Sequence, residues 1–186
     1  FEKRKENAER YDKLFKNAEN YLEEILNEIN HLGIKDDSLI LVMSDHGISV
    51  GEKFGERAYG AFCYDYTLRT FAFYYNSFEK SKLIEQQIRH VDFLPTILDD
   101  LGISLDENFK QIDGVSLKPI IEGRTMVEKI AFSETGNPLD SNTPPKKPNT
   151  KSVRTSKWKL IYNEYNDSKE LYDLEKDPDE NENLIG

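Results

Sequence analysis

The sequence contains a single cysteine, Cys63, among 186 residues, and it has no long apolar run. One cysteine excludes an internal disulfide bond and a zinc site built from several thiolates. It is compatible with a reducing compartment such as the cytoplasm, and it leaves the localisation open. Because a membrane-spanning helix needs about 20 consecutive apolar residues, these short runs predict no membrane span.

Basic residues are also scarce, with 25 Lys and Arg against 35 Asp and Glu, for a formal net charge of −10. Such a field repels nucleic acid and anionic membranes, so neither is a predicted partner. It does not exclude a small anionic substrate, since a bound cation can reverse the local field. Aliphatic and aromatic residues make up 37% of the chain, enough for a packed core rather than a disordered tail.

The first half of the chain has the pattern of an α/β sheet. Apolar residues recur every three or four positions from Tyr11 to Leu32, which predicts an amphipathic helix that ends at Gly33. The apolar run 39–43 then predicts a strand buried on both faces, as is typical of a parallel sheet. A second strand is predicted at 70–75, followed by a helix that Asp92 caps and that carries Pro95 in its first turn.

The second half is predicted to be rich in β-structure. Residues 115–121 predict one short helix and residues 137–150 a patternless Pro- and Asn-rich loop. Strands are predicted at 129–134, 152–163 and 170–174. The sequence thus predicts part of an α/β sheet covered by helices at 1–124, and a small antiparallel β subdomain at 125–186.

The polar loop that follows the first strand carries the residues most suited to chemistry. Asp45 and His46 supply a carboxylate oxygen and an imidazole nitrogen, which are ligands for a divalent cation. In open α/β sheets, ligands bind beyond the carboxyl ends of strands, where this pair lies. Gly47 lets the backbone turn sharply. The alternative is that Asp45 caps the following segment and His46 is a structural histidine; this alternative is favoured for an isolated Asp-His-Gly and about equal to the metal-ligand hypothesis after a buried strand.

Several ordered segments, spread over nearly the whole chain, resemble the sulfatase family of the alkaline-phosphatase-like superfamily, in its C-terminal part. They are LILVMSDHG (39–47), YDYTLRT (64–70), HVDFLPTILDDLG (90–102), DGVSL (113–117), VRTSKWKLI (153–161) and ELYDLEKDPDENENL (170–184). The resemblance implies a metal-dependent hydrolase of sulfate or phosphate esters. It also implies that Asp45 and His46 bind the cation, whether calcium, magnesium, manganese or zinc.

The sequence departs from the family pattern at two places. It lacks the Cys- or Ser-x-Pro-x-Arg motif that carries the family nucleophile, and the aromatic neighbours of Cys63 favour a buried, inert thiol. Tyr59 stands where many sulfatases have Lys or His in contact with the ester. Nearby Lys53 and Arg57 are the candidates for substrate contact, and a loop of solvated charges is the alternative.

We therefore expect a fragment that is inactive alone, with the nucleophile and further metal ligands on residues that precede Phe1. A phosphodiesterase, phosphonate hydrolase or phosphoryl-group transferase of the same superfamily is one alternative, and a non-catalytic scaffold of the same fold is another. Because half a sheet leaves apolar faces exposed, self-association of the chain is also expected.

Overall fold

The computed structural model describes residues 3–56, 58–77, 80–104, 112–136 and 147–185. Its helices and strands follow the chain in this order: α1 Arg4–His31, β1 Ile40–Met43, α2 Asp65–Leu68, β2 Ala72–Tyr75, α3 Phe93–Asp100, α4 Lys118–Ile121, β3 Ala131–Thr135, β4 Thr150–Arg154, β5 Trp158–Asn163 and β6 Ser168–Asp173. Strands β1 and β2 form one sheet, and β3 to β6 form a second. Helices with a separate antiparallel sheet confirm the predicted fold class.

Helix α1 ends where the sequence predicts. Gly33 has φ +67° and its N–H donates to the carbonyl of Asn30, while the N–H of Ile34 donates to the carbonyl of Ile29. These bonds satisfy carbonyls that the last turn leaves without helical partners. The apolar stripe of this helix is not buried, since α1 contains no buried residue and Leu14 is 67% exposed.

The strand prediction for 39–43 is right in place and wrong in pairing. Strand β1 pairs antiparallel with β2, from Ile40 opposite Tyr75 to Met43 opposite Ala72. Strand β1 is half-buried rather than covered on both faces, and Met43 is exposed. An apolar run reports the capacity for burial but not the direction of the partner, and here the chain reverses through α2 before it returns as β2. Apolar side chains are exposed on this sheet and on α1, and self-association through them stays a prediction.

Helix α3 and the DGVSL segment are joined by buried hydrogen bonds. The Asp92 carboxylate, 1% exposed, accepts bonds from the Arg89 guanidinium and from the Val115 N–H. The Thr96 hydroxyl accepts the Leu117 N–H at 2.8 Å. A Cβ on Gly114 would overlap the Val91 carbonyl. The predicted cap is therefore wrong in detail, because Asp92 bonds residues outside α3 rather than its first turn.

The second sheet is an antiparallel meander in the order β3-β4-β5-β6. The single strand predicted at 152–163 is wrong, since it is divided into β4 and β5 by a turn at 155–157. The N–H of Thr155 donates to the Trp158 carbonyl, and the Thr155 hydroxyl accepts the N–H of Trp158. A strand pattern of alternating residues continues through such a short polar turn, so periodicity alone did not reveal it. The predicted 124/125 domain boundary stays a prediction.

A buried ion cluster ties this sheet to the first half of the chain. Lys159 of β5 is fully buried, and its ammonium lies 2.8 Å from Asp65 Oδ1 and 2.7 Å from Glu180 Oε1. Arg154 adds a guanidinium 2.8 Å from Asp65 Oδ2, and Glu180 Oε2 accepts the Asp65 N–H at 2.6 Å. Each charge in the cluster thus has an opposite charge in contact, as burial requires.

The cluster shifts the pKa values of its two carboxyl groups in opposite directions. Burial alone would raise the pKa of Asp65, but hydrogen bonds from Arg154 and the charge of Lys159 hold it below its usual value. Burial raises the pKa of Glu180 and outweighs the contribution of Lys159. Asp65 is therefore the carboxylate that the two cations stabilise most, and Glu180 the one that depends most on Lys159.

Replacing Lys159 with Met should lower the free energy of unfolding by about 3–5 kcal/mol, because two buried carboxylates lose their shared cation. Lys157→Met is the matched control, since Lys157 lies two residues away and pairs with Glu175 at the surface. Such exposed pairs contribute about 0–1 kcal/mol. Urea unfolding of both variants measures the difference. Equal losses in the two variants would contradict the role given to Lys159.

Candidate functional site

Asp45 and His46 lie at the carboxyl end of β1, as predicted. The strand ends at Met43, and the N–H of Ser44 donates to the Phe71 carbonyl at 3.2 Å, just before β2. The chain then leaves the sheet, and Asp45 and His46 follow Ser44 just beyond the end of the strand. Sequence and structure therefore agree that this pair lies at the end of the strand, although the strand belongs to an antiparallel sheet rather than the predicted parallel one.

The two side chains face each other. Asp45 Oδ1 accepts the backbone N–H of His46 at 2.9 Å, and Asp45 Oδ2 lies 3.6 Å from His46 Nε2. His46 Nδ1 lies 2.6 Å from the Gly47 carbonyl oxygen. A carbonyl only accepts, so Nδ1 carries a hydrogen, and in the neutral ring Nε2 then has the lone pair, on the side of the Asp45 carboxylate. The side chains are 87% and 41% exposed, so both remain open to a ligand.

Gly47 is needed for close packing rather than for the sharp turn that the sequence predicts. Its N–H donates to the Thr67 carbonyl at 2.8 Å, and a Cβ there would overlap the Tyr66 carbonyl oxygen. Its φ does not lie in the left-handed region. The backbone of α2 therefore fixes the loop that carries Asp45 and His46.

Two carboxylates fold the following segment back onto itself. Glu52 accepts the N–H groups of Val50 and Gly51 and the hydroxyl of Ser49. Glu56 accepts the Ala61 N–H at 2.6 Å and the Tyr66 hydroxyl at 3.0 Å. These acidic side chains serve the loop's own backbone, and sequence reasoning assigned them no role.

Lys53 is engaged by the C-terminal tail. Its ammonium donates to the Glu180 carbonyl and to Asn181 Oδ1, and it lies 5.2 Å from the centre of the Tyr64 ring. No hydrogen bond or ion pair in the described ranges joins it to Asp45 or His46. Its predicted substrate contact stays a prediction, and Arg57, the other candidate, lies outside the described residues.

Tyr59 lies beside the pair. Its ring centre is 5.5 Å from that of His46, nearly edge-on at 76°, and the residue is 73% exposed. The turn around it is fixed, because the Ala58 carbonyl accepts the Ser49 N–H at 2.8 Å and Gly60 packs against Thr67 with φ +84°. Tyr59 thus forms one wall of the imidazole's surroundings.

Within the described parts of the chain, no three His, Cys, Asp or Glu side chains gather closely enough to hold a metal ion. As metal ligands, Asp45 and His46 would number two, fewer than the four or more that divalent cations take in proteins. A site built on this pair would need further ligands.

Cys63 has the inert environment that the sequence predicts. The residue is 2% exposed, and burial raises the pKa of its thiol to about 11, above the usual range for cysteine. At neutral pH the reactive thiolate is therefore almost absent.

Two family models match the chain and together span it. The model described as "Sulfatase" matches residues 1–103, and the model described as "N-sulphoglucosamine sulphohydrolase, C-terminal" matches residues 60–186. The chain therefore belongs to the sulfatase family, of the alkaline-phosphatase-like superfamily, and the predicted resemblance is confirmed.

Characterised relatives agree with this assignment. The choline-sulfatase of Rhizobium meliloti is 30% identical over 175 residues, 87% of this chain and 30% of the relative. The N-acetylglucosamine-6-O-sulfatase of Bacteroides thetaiotaomicron is 30% identical over 173 residues, 87% of this chain and 29% of the relative. The chain thus spans about 30% of the length of each of these two relatives.

A solved structure of a protein in complex with its substrate, D-glucosamine-2-N,6-O-disulfate, has the same fold. It aligns with a TM-score of 0.67 and 27% identity, over 88% of this chain and 33% of that one.

No helix among the described residues has both the length and the apolarity for crossing a bilayer.

The environment of Cys63 predicts slow alkylation of the folded chain. With iodoacetamide at pH 8, Cys63 should react at least about tenfold more slowly in the native state than in urea, because its raised pKa and burial both suppress the thiolate. Mass spectrometry of the modified chain measures both rates. Comparable rates in the two states would contradict the buried, inert assignment.

Proposed function

We propose that this chain contributes the metal-binding loop of a hydrolase that cleaves sulfate esters of sugars, with Asp45 and His46 as two of the metal ligands. The observation that carries the proposal is the facing carboxylate and imidazole, 3.6 Å apart, at the carboxyl end of a strand in a sulfatase-family chain. The nucleophile and the remaining ligands then come from residues outside these 186.

The residues present fit a divalent cation. His46 donates Nδ1–H to the Gly47 carbonyl, and metal-binding histidines commonly make a bond of this kind from the ring nitrogen that does not bind the metal. It leaves the Nε2 lone pair beside Asp45 Oδ2, so one oxygen and one nitrogen ligand converge. When bound, such a cation would act as a Lewis acid on the ester and the nucleophile.

The residues of this chain would orient those ligands. The Gly47 carbonyl fixes the imidazole tautomer, and the N–H of His46 holds one carboxylate oxygen of Asp45 so that the other points at the ring. The ring of Tyr59 lies beside that of His46, with the two ring planes nearly perpendicular. Preorganisation of this kind lowers the cost of ordering the site around a charged ester.

The comparisons favour a sulfated glucosamine as the substrate class. The N-acetylglucosamine-6-O-sulfatase and the complex with a disulfated glucosamine both support it. The choline-sulfatase is equally identical, so the alcohol of the ester has to be tested directly. Phosphoester, phosphonate and phosphoryl-transfer chemistry and a non-catalytic scaffold are the outcomes that would replace the proposal.

Metal binding can be measured on the chain itself. Titration with Mn²⁺ should broaden the NMR signals of the His46 ring at a concentration about tenfold lower than those of His31, and Asp45→Ala should remove this difference. His31 is a matched control because it lies 3.6 Å from a carboxylate, Glu28, on a helix surface. Equal broadening of both histidines would contradict the ligand assignment.

Turnover should require more than this chain. The 186 residues alone should release no sulfate from N-acetylglucosamine 6-sulfate or choline sulfate, whereas the complete product of the gene should hydrolyse at least one of them. Asp45→Ala should lower that rate about a hundredfold, with exposed Asp36→Ala as the control. Turnover by the chain alone would refute the external nucleophile. Activity of the complete gene product on nitrophenyl phosphate alone would favour phosphoester chemistry. Absence of activity on every ester would favour a non-catalytic scaffold.

A further inference from the structure

A cleft of about 350 Å³ lies where the start of α1, the loop after Gly51, the end of α2 and the C-terminal tail meet. Three cationic side chains line it, Arg4, Lys53 and Arg69. Its volume suits one small polar group or sugar unit. The cleft is separate from the Asp45–His46 pair, since neither residue lines it.

The arginines of the cleft differ from the other arginines that the structure describes. Within the described ranges, the side chains of Arg4 and Arg69 make no hydrogen bond or ion pair. The other four, Arg10, Arg89, Arg124 and Arg154, each pair with a carboxylate. Both guanidinium groups that have no partner among the described residues thus line the same cavity, although the chain has an excess of acidic residues.

Most carboxylates of the cleft are already engaged. Glu52 accepts N–H groups of its own loop, and Asp65 and Glu180 contact the buried Lys159. Asp179 is the remaining acidic group in the lining. Most carboxylates of the cleft therefore already have partners, and few are left to pair with the guanidinium groups of Arg4 and Arg69 in place of a bound anion.

The cleft is fixed relative to the proposed metal loop. Arg69 lies two residues before Phe71, whose carbonyl accepts the Ser44 N–H at 3.2 Å beside Asp45. The start of α1 is held by Asn7, whose side-chain amide donates to the Val50 carbonyl at 3.2 Å. An anion bound by Arg4 and Arg69 would therefore be held by two segments that are hydrogen-bonded to the chain on either side of Asp45 and His46.

We propose that this cleft binds a second oxyanion group of the substrate, through Arg4 and Arg69, while the ester to be cleaved lies at Asp45 and His46. The inference rests on the proposed function for the identity of the ligand. Guanidinium groups bind sulfate and carboxylate through paired N–H bonds, so the group is a second sulfate or a uronate carboxylate. The substrate is then a sugar with more than one negative charge.

Calorimetry on the 186-residue chain in EDTA tests the cleft apart from the metal. A heparin-derived sulfated disaccharide, the same disaccharide without sulfate and a neutral disaccharide serve as probes. Arg69→Gln and Arg4→Gln should each weaken binding of the sulfated probe about tenfold, the loss of one charge-assisted contact. Retained binding of the desulfated probe identifies a carboxylate ligand, and its loss identifies a sulfate.

Arg124→Gln is the matched control, because Arg124 is an exposed arginine paired with Glu122. It should leave binding unchanged, and thermal melts check that each variant is folded. No binding by the native chain, or equal losses in Arg69→Gln and Arg124→Gln, would overturn the inference and leave the proposed function standing. If the complete gene product releases no sulfate from any ester, that result would contradict the proposed function and would not decide whether the cleft binds an oxyanion.

Discussion

The ammonium of Lys159, buried between two carboxylates, is the contact on which the arrangement of the chain depends. It joins β5 to Asp65 at the start of α2 and to Glu180 in the C-terminal tail, segments far apart in sequence. Buried ion pairs contribute little net stability over well-packed apolar groups, but they strongly penalise any arrangement that separates the charges. The cluster thus selects one relative placement of the second sheet, α2 and the tail.

The buried ion cluster is connected to the candidate site, Asp45 and His46, by backbone contacts of α2. Asp65 begins α2, and the carbonyls of Tyr66 and Thr67 within it meet Gly47 by packing and by a 2.8 Å hydrogen bond. The Gly47 carbonyl in turn holds the imidazole of His46. A lysine on the far sheet is therefore linked to the orientation of a proposed metal ligand.

The sequence revealed what local patterns determine. Helical periodicity and Gly33 located the end of α1, and an apolar run followed by Asp45 and His46 located a strand end with two candidate ligands. It could not reveal what depends on distant partners. Antiparallel pairing of β1, the turn at 155–157 and the burial of Lys159 all follow from tertiary contacts. Lys159 lies between Trp158 and Leu160, where a lysine ordinarily indicates a solvated strand face, so the local sequence did not reveal its burial.

The central claim is that Asp45 and His46 together hold a cation whose other ligands lie outside this chain. Anomalous diffraction at the manganese edge, from crystals of the complete gene product grown with Mn²⁺, tests it most directly. The account predicts one strong peak within about 2.3 Å of both Asp45 Oδ2 and His46 Nε2, at the distances that carboxylate and imidazole ligands make. A well-occupied peak bound by other residues, with Asp45 and His46 left free, would contradict it.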